Sequence, residues 1–221
     1  MRDASISIIT ACPKTDDLAV VVVSSFPAVG AYTPIVRRGA GIVCMLGWFY
    51  PEVAIDGLDC LEQGLTANVA LNKMLTNPRG SREYPVTVLD NYGNVSAYSH
   101  PDNQAHGSHL VGDRLVVQVH GFTQDKLTYR IKKTFESAEG DIAARLMEGL
   151  RKGVPSELAV ELGLRSAALV VARDPIIPYL SLRIDEHEHP LEELARLSEE
   201  LKPPLERRFL KSIGEKRMAS K

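Results

Sequence analysis

The chain has 221 residues, 44% of them hydrophobic and 24% charged, with a formal net charge of −2 and a pI near 6.3. That length suits one large domain that buries its own core without disulfide staples. The balanced charge carries no sustained basic surface, so nothing in it argues for a nucleic-acid or anionic-membrane partner.

Residues 5–12 and 18–23 are two β-rich runs joined by Pro13-Lys14-Thr15-Asp16-Asp17, a turn by its chemistry, so they predict a hairpin. The second run, Leu18 to Val23, is apolar on both faces and predicts a central strand in a sheet covered on both sides. A loop with Pro27, Gly30 and Pro34 follows, then another apolar run from Ile42 to Trp48, bounded by Gly39 and Gly41. Pro51 opens a helical stretch that runs to about residue 76 and is divided at Gly64. Residues 86–90 and 95–98 flank Asn91-Tyr92-Gly93-Asn94, a second hairpin signal. Residues 99–113 read as a long polar loop, and 115–120 as a strand. Helices are predicted over 126–136, 141–150 and 155–162, a last strand pair over 166–172 and 179–184, and an amphipathic helix over 190–201 with a stripe of Leu191, Leu194, Leu197 and Leu201.

Strand pairs thus alternate with helix pairs. The pattern predicts an α+β fold of antiparallel sheets with helices outside, not a doubly wound parallel sheet. Residues 1–201 form the expected single domain, and 202–221 a polar tail, extended or helical in part, with a broken basic cluster around Arg207, Arg208 and Lys211. Cys12, Cys44 and Cys60 are odd in number and match no zinc spacing, so they are expected as free thiols in a reducing compartment, Cys12 and Cys44 buried. Met1-Arg2-Asp3-Ala4-Ser5 has no signal-peptide core, and no run approaches the ~18 apolar residues of a membrane helix, so the expected location is cytoplasmic. Sheet edges and the leucine stripe lead us to expect a homo-oligomer.

Several motifs together resemble the family catalogued as domain of unknown function 1028. They are Ser5-Ile6-Ser7-Ile8, Pro13-Lys14-Thr15, Ser24, Ala28-Val29-Gly30-Ala31, Gly39-Ala40-Gly41, Trp48, Pro51 and Gly57-Leu58. The series continues at His109, Gly112 and Gln118, then at residues 166–171, and ends with 182–187 and Pro190. That family is placed with the N-terminal-nucleophile hydrolases. The resemblance implies a four-layer αββα sandwich of two packed antiparallel sheets flanked by helices, and hydrolysis of a small, non-peptide amide bond. In such enzymes the first residue of the first strand is the nucleophile and its own α-amino group the base. The leading Thr of the family falls on Ser5, which Met1-Arg2-Asp3-Ala4 precede, so Ser5 is a catalytic candidate only after a cut following Ala4. The chain also departs from the family pattern. Met45-Leu46 stands for Thr-Gln, Tyr50 for Asn, and Val119-His120 for Gly-Asn. The alternative is therefore an inactive or diverged ligand-binding member of the same fold.

Among candidate site residues, Ser24 ends a buried strand and either lines a site or caps its turn. His109 is an acid/base candidate because its ordinary pKa lies near neutrality. Gln118 and His120 share one strand face and could enter a cleft together, with Tyr50 and Ser166 as further lining candidates. Arg165 could take a carboxylate with its planar fork or pair with a structural acid such as Asp185. His100, His106, His109 and His120 match no compact metal signature, so neither a metal nor a cofactor is expected. Asp185, Glu186, His187 and His189 precede Pro190 at a helix start, where acids favour the helix dipole.

Overall fold

The computed structural model describes residues 3–47, 50–77, 84–99, 107–122, 124, 126–173 and 178–201. The tail at 202–221, Trp48, His100 and His106 lie outside the described residues.

The first hairpin forms as its turn chemistry requires, from β1 (Ser5–Ala11) and β2 (Leu18–Ser24). Both strands are buried along their whole length, because β2 also pairs with β9 (Ser166–Ala172) and β1 with β8 (Leu115–His120). β10 (Leu180–Ile184) and β7 (Gly107–Gly112) form the edges, giving an antiparallel six-stranded sheet of order β10-β9-β2-β1-β8-β7. A four-stranded sheet, β3-β4-β5-β6, is built from β3 (Ile35–Arg37), β4 (Gly41–Met45), β5 (Val86–Asp90) and β6 (Val95–Tyr98). The hairpin joining β5 to β6 is tied by Asp90, whose Oδ1 accepts from the Tyr92 and Asn94 backbone N–H groups at 3.0 and 2.9 Å.

Alternation along the strands sorts the side chains into three apolar layers. Ile6, Ile8, Val21 and Val23 point from the large sheet onto α3 (Leu127–Ser137), α4 (Ile142–Gly153) and the helix at 190–201, which we label α6. Ile9, Val20 and Val22 face Ile42, Cys44 and Leu89 of the small sheet. Val43, Met45 and Val88 face α1 (Pro51–Glu62) and α2 (Ala67–Thr76). The result is an αββα sandwich. Pro51 occupies the first turn of α1, the Asp141 carboxylate accepts the Ala144 N–H at 2.8 Å to cap α4, and Gly64 separates α1 from α2 at a φ of +82°. A short α5 (Ser156–Glu161) links α4 to β9.

Three expectations change. The second half of the polar 99–113 loop is strand β7, whose backbone groups are satisfied by β8. Cys12 is half-buried rather than buried, while Cys44 and Cys60 are buried, and all three are free. The leucine stripe of α6 seats Leu191 and Leu194 in the chain's own core, with Leu197 packed against it, instead of presenting them outward. Among the described residues, no helix is long and apolar enough to cross a membrane.

Candidate functional site

Strand register brings four polar side chains into one row across the large sheet. Ser5 is opposite Ser24 on one side and His120 on the other, and Ser24 is opposite Ser166. All four are buried, and all point into the layer between the sheets, at the end where β1 begins and β2 ends. Apart from Ser7 and Gln118 one step deeper, the same face of these strands is filled by Val, Ile, Leu and Ala. The row is therefore a polar interruption of an apolar layer.

The hydroxyls are engaged. Ser5 Oγ and Ser24 Oγ share a hydrogen bond of 2.9 Å. Ser24 Oγ also accepts the Phe26 N–H at 2.9 Å and donates toward the Ala4 carbonyl at 3.3 Å. Ala4 is wholly buried, donates its N–H to Ser25 Oγ at 2.9 Å, and accepts the Ser25 N–H at 2.8 Å. The residue ahead of Ser5 is thus held as an extension of the strand pair. One step deeper, Ser7 is opposite Gln118. Gln118 donates to the Tyr98 carbonyl at 3.0 Å, but its Oε1 has no hydrogen-bond partner among the described residues. Ser7 Oγ lies beside the Cys44 thiol without a well-formed hydrogen bond.

A cavity of about 210 Å3 opens at this end of the layer, lined by Asp3, Ser5, Ser24, Phe26, Val29, Tyr32, Thr33, Leu46 and Gly47. Its outer wall is the loop after β2. Ser166 pins that loop by accepting the Val29 N–H at 3.1 Å and donating to the Phe26 carbonyl at 2.5 Å. Gly30 lets the loop sit flat on β9 and β10, since a Cβ there would come within 2.6 Å of both Ala168 and Arg183. Thr33 ties the loop to β4 by accepting the Met45 N–H at 3.1 Å. Gly47, at a φ of +83°, closes the floor, where a Cβ would stand 2.7 Å from His120 Nε2.

The remaining candidates fall elsewhere. His120 stands in the polar row, its ring edge-on to Tyr84 with centroids 6.1 Å apart, but outside the cavity lining. His109 lies on β7 opposite Gln118, bonds Ser99 through Nδ1 at 2.9 Å, and does not line the cavity. Burial holds its imidazole below the usual pKa. Tyr50 packs against the α1–α2 core ahead of Pro51. Arg165 pairs with Glu186 at 2.7 Å on the surface, while Asp185 pairs with Arg183. Among the described residues no three His, Cys, Asp or Glu side chains gather as a metal set. Sequence reasoning passed over Asp3, Phe26, Val29, Tyr32, Thr33 and Gly47 as lining residues, and met Leu46 only as an apolar departure from the family pattern. The usable signal was position: a Pro27-to-Pro34 loop directly after Ser24 must cross the end of the sheet.

Fold and site together define an α+β two-sheet sandwich with a hydroxyl-floored cavity at the start of its first strand. The model for the family of unknown function DUF1028 matches residues 5–194, and the chain belongs to that family. A crystallised DUF1028 protein from Silicibacter pomeroyi has the same fold, with a TM-score of 0.80, 21% identity, and coverage of 89% of this chain and 88% of that one. No curated protein matches the chain.

Proposed function

We propose that the chain, with Ala4 joined to Ser5, is a diverged ligand-binding member of its fold that holds a small molecule in the cavity floored by Ser5 and Ser24. One observation carries this reading. The group that would activate Ser5 is tied up, because the Ser5 nitrogen is an amide and Ala4 is buried and bonded on both its N–H and its carbonyl. A hydroxyl without a base is a weak nucleophile, yet remains a good hydrogen-bond partner. Ligand-observed NMR with a fragment collection tests the proposal, with Ser24→Leu, which fills the cavity floor, as control. Fragments that bind the wild type and not Ser24→Leu uphold it; a collection that binds neither overturns it.

The second reading is hydrolysis of a small amide by an N-terminal-nucleophile mechanism. It is favoured by the position of Ser5, whose hydroxyl faces the cavity and is already hydrogen-bonded. Cutting the Ala4–Ser5 bond would free an amine beside that hydroxyl. Ser5 Oγ would then attack the amide carbon, its proton passing to the amine and on to the departing nitrogen, and water would release the acyl group. Intact mass and N-terminal sequencing of protein from its native host decide between the two. A mature chain starting at Ser5, with amide turnover lost in Ser5→Ala, establishes the hydrolase; a chain retaining Ala4 rules it out.

A further inference from the structure

The cavity's chemistry is one-sided. Among the described residues its lining contains a carboxylate, Asp3, and two aromatic rings, Phe26 and Tyr32, and no Lys, Arg or His. The two rings are half exposed, at 50% and 51%, although most large apolar side chains of the chain are buried. Both rings border the cavity while keeping half their surface open, which leaves them available to a ligand. Aromatic faces carry negative electrostatic potential and attract cations, most strongly when a carboxylate stands near. Beneath them, Ser5, Ser24 and Thr33 contribute hydroxyls, and Val29 and Leu46 an apolar wall.

From this we infer that the cavity takes a small organic cation, an alkylammonium with an apolar body and a hydroxyl or carbonyl at its far end. The cationic head sits against Asp3, Phe26 and Tyr32, and the polar end meets the serine floor. A volume of about 210 Å3 is room for a small organic molecule and not merely for a single water. The inference rests on the ligand-binding reading, because a chain cut after Ala4 no longer carries Asp3.

Three probes of one shape test it on the full chain by titration calorimetry. They are choline, its neutral isostere with a tert-butyl group in place of trimethylammonium, and the tert-butylacetate anion. Choline is expected to bind at least ~10-fold more tightly than the neutral isostere, with the anion weakest. Asp3→Asn and Tyr32→Leu, both at the cavity mouth, should each weaken choline about fivefold and leave the isostere unchanged within about twofold. Equal binding of choline and the isostere overturns the cation inference and leaves the ligand-binding reading standing. Failure of all three at millimolar concentration also overturns it, and the fragment screen then judges the broader reading separately.

Discussion

Ser166→Ala tests whether the cavity wall is held by the β9 serine. Ser166 is fully buried, and its hydroxyl satisfies two backbone groups of the loop after β2, the Val29 N–H at 3.1 Å and the Phe26 carbonyl at 2.5 Å. Alanine keeps the strand packing and removes both partners. A buried backbone group left unpaired costs about 1–3 kcal/mol, and Val29 is buried while the Phe26 side chain reaches solvent, so the total expected is about 2–3 kcal/mol. With a urea m-value of about 2–3 kcal/mol/M, the unfolding midpoint falls by roughly 1 M with m unchanged. Cavity ligands should weaken in parallel, because Phe26, Val29 and Tyr32 all ride on that loop. A loss below about 0.5 kcal/mol, within the range of ordinary surface substitutions, would refute the assignment of Ser166 as the loop's anchor.

Other outcomes follow from single contacts. Burial holds the His109 imidazole below its usual pKa, so its neutral form contributes stability that is complete above about pH 6.5 and is lost as pH falls through the lower folded-state value. Urea unfolding from about pH 7.5 to 5 should therefore lose less stability in His109→Gln than in the wild type. Burial pushes the Cys44 thiol up to about 11, so native protein at mild alkaline pH should be alkylated at half-buried Cys12 and spared at Cys44, read by peptide mass mapping. The same shift favours the protonated folded state, so stability should fall as pH rises from about 9 toward 11. Arg173 grips the Asp17 carboxylate, whose side chain is 2% exposed, through bonds of 2.9 to 3.2 Å, and its guanidinium lies over the Tyr179 ring. Arg173→Met strands that buried charge and should cost about 3 kcal/mol in thermal or urea unfolding.

The sheets were legible because their strands are written in local chemistry. The apolar run of β2 could satisfy its side chains only in the middle of a covered sheet, and it stands third of six. β7 was not legible, since Gly107, Ser108 and Gly112 lack strand propensity and are recruited by pairing with β8. The site was half legible. Ser5 and Ser24 were visible from their strand ends and from resemblance, but the aromatic wall was not. Phe26 and Tyr32 belong to a loop whose course depends on Ser166 and Asp185, more than 130 residues away in the chain. His109 and Arg165 do not line the cavity. A titratable side chain near a site looks the same in sequence whether it faces the cavity or, as here, bonds Ser99 or Glu186 instead.

The polar row itself argues for selection on function. Ser5, Ser24, Ser166 and His120 occupy inward positions where valine would fit the pattern of their neighbours, and each buried aliphatic side chain contributes about 1.5–3 kcal/mol. Ser166 offsets that by anchoring a loop, and Ser24 by capping Phe26. The hydroxyl of Ser5 has no comparable structural task, since among the described residues its one hydrogen bond is to Ser24, which already has backbone partners. A fold under pressure for stability alone would place an apolar residue there, and local departures from the stable choice concentrate at working sites. Ser5→Val should therefore leave the chain as stable as the wild type or slightly more so, while emptying the cavity of its ligands. If Ser5→Val instead unfolds the protein at a cost above about 2 kcal/mol, the hydroxyl belongs to the architecture, and the case for a site at the start of β1 loses its main support.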